Sequence, residues 1–135
     1  MEEEYEMSII TASGAFYNYI KSNGIIDKVF YIEADRKGGQ PYVTVEQVSD
    51  PDNNTFLCED IQGDTSFLIG VFQSSYTKGI NNRQLLIDYI KELRTQTKNG
   101  FKFWNVVIVD SWDGDKNIDN LYTFNFEVSL KWIKL

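Results

Sequence analysis

The 135 residues are enough for one domain of ordinary size and hardly for two. Hydrophobic residues at 42% and aromatics at 15% supply material for a packed core, and a formal net charge of −7 argues against nonspecific binding to nucleic acid or an anionic membrane surface. Histidine is absent, which removes the commonest general base and the usual zinc ligand, and the lone Cys58 cannot close an internal disulfide.

The chain opens on "MEEEYEM", acidic where a signal peptide would be basic, and no apolar run approaches the ~20 residues of a membrane span. A cytosol-like compartment is the expectation. From there to about residue 23, Met7, Ile9, Ala12, Phe16, Tyr17 and Ile20 share one face at helical spacing. The glutamates suit the positive end of that helix, and "SNG" stops it, with Gly24 as a left-handed cap.

"KVFYIEA" predicts a strand over residues 29 to 34, "DRKGGQ" a turn, and "PYVTVEQV" a strand rich in β-branched residues. After the turn chemistry of "SDPDNN", "TFLCEDIQGD" reads as a shorter strand ending near Gly63 and "TSFLIGVFQSS" as a longer one. "INNRQLLIDYIKELRTQTKNG" predicts a second helix over about residues 82 to 97. Leu85, Leu86, Tyr89, Ile90 and Leu93 form its apolar stripe, Asn81 or Asn82 its cap, and Gly100 its stop; Arg83 is expected to face out. "FKFWNVVIVDSW" is a strand and "DGDKNIDN" a polar loop. In the closing "LYTFNFEVSLKWIKL" every second residue from Tyr122 to Trp132 is large and apolar, the period of a strand with one face buried. The predicted fold is a single α+β domain over residues 1–135, a mainly antiparallel sheet with two packed helices in the order α-β-β-β-β-α-β-β.

No stretch supplies catalytic or cofactor chemistry. Asp113, Asp115, Asn117 and Asp119 imitate the first half of a calcium loop, but Ile118 stands where the turn glycine belongs and Phe124 where the closing glutamate belongs. A solvated hairpin loop explains them better, and no metal dependence is expected. "DRKGGQ" lacks phosphate-loop spacing and is followed by a strand. Cys58 reads as a small, partly buried side chain, and Trp104, Trp112 and Trp132 mostly as core. A carboxylate enzyme using Asp110, Asp113 and Glu127 would require a concave pocket holding two of them within several Å of each other, one with a raised pKa.

The order of elements, with "QPYVTVEQV", "SFLIGVFQS" and "NNRQLLIDYIKELR", resembles the tail terminator proteins of long-tailed bacteriophages over residues 7–135. The resemblance implies a ring, usually hexameric, at the end of the tail tube. It would end tube growth, join tail to head, and catalyse nothing. The implied partners are further copies of the chain, the tail tube protein and head-tail connector proteins, with DNA passing through the lumen without specific binding and no membrane involved. The implied location is the virion tail or neck, and the host cytoplasm during assembly. The acidic loops suggest Asp50, Asp52, Asp113, Asp115 and Asp119 as interface residues meeting basic patches on a neighbouring ring. Another phage neck or tail ring protein, or a non-viral α+β interaction adaptor, are the alternatives.

Overall fold

A computed structural model describes residues 11–31, 41–49, 62–114, 116 and 120–135. Helix α1 (Ala12–Lys21) leads to strands β1 (Val29–Tyr31), β2 (Tyr42–Ser49) and β3 (Gln62–Gln73). Helix α2 (Tyr76–Lys91) follows, then β4 (Gln96–Lys98), β5 (Phe101–Gly114) and β6 (Tyr122–Lys134). The described strands form one sheet in the order β1-β2-β3-β6-β5-β4, with β1 parallel to β2 and every other pair antiparallel. The expected α+β fold, two helices on a mainly antiparallel sheet, is the fold observed. Of the shorter strand expected before the turn at Gly63, residues 55 to 61 lie outside the described residues, and Gln62–Gln73 is one continuous strand.

The closing strand sits at the centre. β6 pairs with β3 from Gln62↔Ile133 to Gln73↔Tyr122 on one side, and with β5 from Phe101↔Lys134 to Gly114↔Thr123 on the other. Its alternation does what the sequence predicts: Phe124, Phe126, Val128, Leu130 and Trp132 are buried, and the residues between them are half-exposed. Both helices cover this inward face. Phe16 of α1 sets its ring 4.5 Å from that of Phe67, and Leu86 and Ile90 of α2, with Leu93 just beyond it, are fully buried in the same cluster. Leu85, expected in the stripe, is half-exposed at the stripe's margin.

The second helix begins earlier than predicted. Ser75 is its N-cap, in extended backbone conformation, with its hydroxyl accepting the Lys78 N–H at 3.3 Å. Gly79, a poor helix former, disguises this first turn in the sequence. It is there because a Cβ at that position would overlap the buried Phe124 ring. The helix also ends earlier, and "NG" is not its stop. Asn99 (φ 53) and Gly100 (φ 84) are the two left-handed residues of the tight turn joining β4 to β5, the combination such hairpins require.

At the end of α1, Gly24 adopts the expected left-handed conformation, with φ 74. The neighbouring Asn23 does more than break the helix. Its buried amide donates to the carbonyls of Ile20 (2.7 Å) and Ile26 (3.0 Å), and its side-chain oxygen accepts the N–H groups of Ile25 and Ile26. One side chain thereby satisfies a whole turn of buried backbone.

The two helices are clasped by a reciprocal pair of tyrosines. The Tyr19 hydroxyl donates to the Tyr89 carbonyl (2.7 Å) and the Tyr89 hydroxyl to the Tyr19 carbonyl (2.6 Å), with the rings stacked at 4.3 Å. Burial, then the neighbouring Tyr89 and Glu92, pushes the Tyr19 hydroxyl up to about 12. Burial, followed by Glu92, also raises that of Tyr89.

Two outcomes follow for stability. Truncating Ile90 leaves a cavity in the core, so Ile90→Ala should cost roughly 2–5 kcal/mol in chemical denaturation, and a loss below about 1 kcal/mol would place Ile90 outside the core. The tyrosines set an alkaline limit. An unfolded tyrosine ionises near 10, so the clasp's contribution is fully present below about pH 10 and is lost as pH rises toward 12. In melting curves across that window, the double variant Tyr19→Phe, Tyr89→Phe should be less stable at neutral pH, by about 1 kcal/mol per bond, and should decline less steeply above pH 10.

Candidate assembly interface

The sheet's other face carries neither helix. The ladder register and the alternation of burial put Leu68, Gly70, Asn125, Glu127, Ser129 and Lys131 there. Asp64 and Lys131, directly opposite each other, form an ion pair at 2.8 Å, and Ser129 donates to the second oxygen of the same carboxylate. At one end, Phe30, Tyr42 and Phe72 stack into an aromatic group, with Tyr42 and Phe72 4.6 Å apart and nearly parallel.

β5 is the exposed flank of this face. β4 pairs only with its first residues, Phe101 to Phe103, so no described strand pairs with residues 104 to 114 on the side away from β6. Two register shifts against β6 interrupt the alternation, one at Trp104 and one at Val109. Each inserts an extra apolar residue, and both are exposed, Trp104 at 46% and Val109 at 54%. With Val107 and Trp112 they line the strand with exposed apolar groups. Edge strands are normally blunted by lysine or proline. The run "WNVVIV" at residues 104 to 109 has neither. Sequence reading missed this edge because the two bulges erase its period; Trp104 and Trp112, expected in the core, are exposed, while Trp132 is buried and bonds Thr65 through its indole N–H.

Asp113 is the one predicted interface residue whose position is described; Asp50, Asp52, Asp115 and Asp119 lie outside the described residues. Its carboxylate is engaged within the chain. Arg83, 15% exposed rather than facing out, donates to Asp113 Oδ1 at 2.7 Å and to the Trp112 carbonyl at 3.1 Å. The Arg83 guanidinium also lies over the Phe124 ring. The Tyr76 hydroxyl donates to Asp113 Oδ2 at 3.0 Å, a bond to the carboxylate that, with its charge, raises the tyrosine's own pKa. This knot ties the first turns of α2 to the far ends of β5 and β6, where the polar loop begins.

The remaining chemistry resolves in the same way. Asp115, Asn117, Asp119 and Cys58 lie outside the described residues, and among the described residues no three His, Cys, Asp or Glu side chains gather as a metal site would require. Asp110 and Glu127 stand opposite each other across β5 and β6 on the outer face, whereas Asp113 is aligned with the inward Phe124. The three carboxylates are therefore split between two faces. No described helix is long and apolar enough to cross a membrane.

No protein-family model matches the sequence, and no curated protein matches it. Among solved structures the chain is similar to a chain of a structure titled "Virion of native gene transfer agent (GTA) particle", with a TM-score of 0.64 and 9% sequence identity. The match covers 90% of this chain and 94% of that one. The likeness is one of fold.

Arg83 is the load point of the knot. Arg83→Ala should cost roughly 1–3 kcal/mol in denaturant unfolding, because it leaves a carboxylate and two carbonyls short of a donor. A change within about 0.5 kcal/mol, the range of ordinary surface substitutions, would show the knot to be energetically idle.

Proposed function

We propose that the protein is a virion structural component that forms a ring at the end of a phage-type tail tube, where it ends tube growth and joins tail to head. The observation that carries this reading is the two-way coverage of the fold match: nearly all of this chain aligns with nearly all of a chain from the virion of a gene transfer agent. Matching whole to whole is what a shared building block would give, and an embedded common motif would not.

The edge of β5 with which no described strand pairs supports the same reading. A heterologous ring needs each copy to offer one patch to the next copy and a different patch to the previous one. Backbone N–H and C=O groups along an uncharged run such as residues 104 to 109 are a hazard in a monomer and a joint in a ring. By the family resemblance the ring has six subunits, meets the tail tube protein on one side and connector proteins on the other, and does no catalysis. The acidic loops around Asp50, Asp52, Asp115 and Asp119 would contact basic patches on those partners, an attraction that weakens with salt. Its place would be the virion tail or neck, reached through the host cytoplasm during assembly.

Deleting the gene should yield tails of abnormal length or heads and tails left unjoined, as seen in micrographs of lysates. Charge reversal at Asp115 and Asp119 should impair joining at unchanged melting temperature. Asp113 is unsuitable for that test, since reversing it also breaks the Arg83 pair. Normal virions from the deletion would end the assignment.

A further inference from the structure

The ring reading leaves open which surfaces meet, and this inference rests on that reading. We infer that the edge of β5 with which no described strand pairs joins antiparallel to the β1 edge of the next copy, with Asp110 facing Lys28 and Val107 facing Phe30 across the joint.

Topology supplies the direction. β1 and β2 run together, and the three antiparallel steps from β2 through β3 and β6 to β5 leave β5 running opposite to β1. When like-oriented copies stand side by side, as a rotation axis requires, the β5 edge of one therefore meets the β1 edge of the next in antiparallel sense. That is the more stable pairing, and it continues the sheet without reversing any subunit.

Charge and facing supply the register. Asp110 is the only charged residue in the stretch from 104 to 110, and it sits opposite Glu127 within its own sheet, two like charges that repel. Lys28, exposed, immediately precedes β1. Antiparallel pairing brings this end of β1 to the acidic end of the β5 stretch. If β1 reads β5 through the bulge at Val109, as β6 does, Lys28 meets Asp110, Val29 meets Ile108, Phe30 meets Val107 and Tyr31 meets Val106. Every pair then matches in facing. Phe30 shares the outer face with Tyr42, and Val107 stands opposite the outward Ser129. Val29 and Tyr31 belong to the inward core, as do Ile108 and Val106. On β1, the Val29 carbonyl accepts the Tyr17 hydroxyl at 3.3 Å and has a second lone pair for a ladder bond. Pairing β5 with a second β5 across a two-fold axis is disfavoured by charge, because centring the unpaired stretch on itself brings the Asp110 and Glu127 pairs of both copies together.

The test combines charge and covalent capture. Self-association measured by light scattering and native mass spectrometry should weaken at least about tenfold in Lys28→Glu and in Asp110→Lys, with melting temperatures of the subunits unchanged. It should return when the two variants are mixed, or when both changes are placed on one chain. In a Cys58→Ser background, Phe30→Cys with Val107→Cys on one chain should give disulfide ladders on oxidation, and neither alone should. Rings from the unaltered protein without ladders, or disulfide dimers from Val107→Cys alone, would overturn this joint and leave the ring intact. A chain that stays monomeric at its highest soluble concentration, alone and with tail tube protein, would overturn both.

Discussion

The backbone groups of a strand seek partners on both sides, and in this protein one strand finds them in its neighbours along nearly its whole length while, among the described strands, the next does so on one side only beyond its first residues. β6 is paired along nearly its whole length with β3 and β5, and its inward row from Phe124 to Trp132 is the floor on which both helices rest. Phe124 alone ties together α2 at Gly79, the guanidinium of Arg83 and the ring of Tyr76. Among the described strands, β5, one step out, is paired on its second side only where β4 reaches it. The core depends on the first strand, and the proposed joint is built on the second.

How much of this was legible in the sequence follows from where period survives. In β6 the alternation is unbroken, and its burial could be read directly. In the middle of α2, Leu86, Ile90 and Leu93 fall on one stripe and are all fully buried. The beginning of that helix was hidden because "SSYTKG" has a glycine where a helix former is expected, and only the three-dimensional position of Phe124 explains it. Asn99-Gly100 was read as a helix stop when it is a hairpin turn; the dipeptide serves both, and β4 is too short to betray itself by pattern. In β5 the bulges at Trp104 and Val109 shift the phase twice, so a strand that presents tryptophans to solvent looked like one that hides them. Of the candidate site, the acidic character could be read in advance. That Asp113 spends its charge on Arg83 could not, since the partners lie thirty positions apart in the chain.

The knot around Asp113 and the bare run at 104 to 109 have complementary consequences. Arg83 and Tyr76 fix the end of the β5-β6 hairpin against the helix, so the polar loop springs from a held base. A rigid base lowers the entropy cost of presenting a loop to a partner. Between that base and the β4 cap, the strand is paired with β6 except at its two bulges, and is without a charged side chain to repel a newcomer until Asp110. Such a strand has a defined position and an outer side that no described strand occupies, which suits strand addition.

The placement of the helices bears on whether such addition would close. In the inferred edge-to-edge joint, α1 and α2, both on the inward face, would crowd their neighbours on that side and favour a bend toward the opposite face. Sheet twist adds a fixed rotation at every strand, and joints repeated with the same rotation generate either a ring or an open helix. The outer face mixes paired charge, Asp64 with Lys131, with the facing acids Asp110 and Glu127, the first of them answered by Lys28 in the inferred joint, on a chain whose net charge is −7. Were that face to line the lumen of the proposed ring, its acidity would offer phosphates no counterion release and a mild repulsion, so a nucleic acid would pass along it without being held.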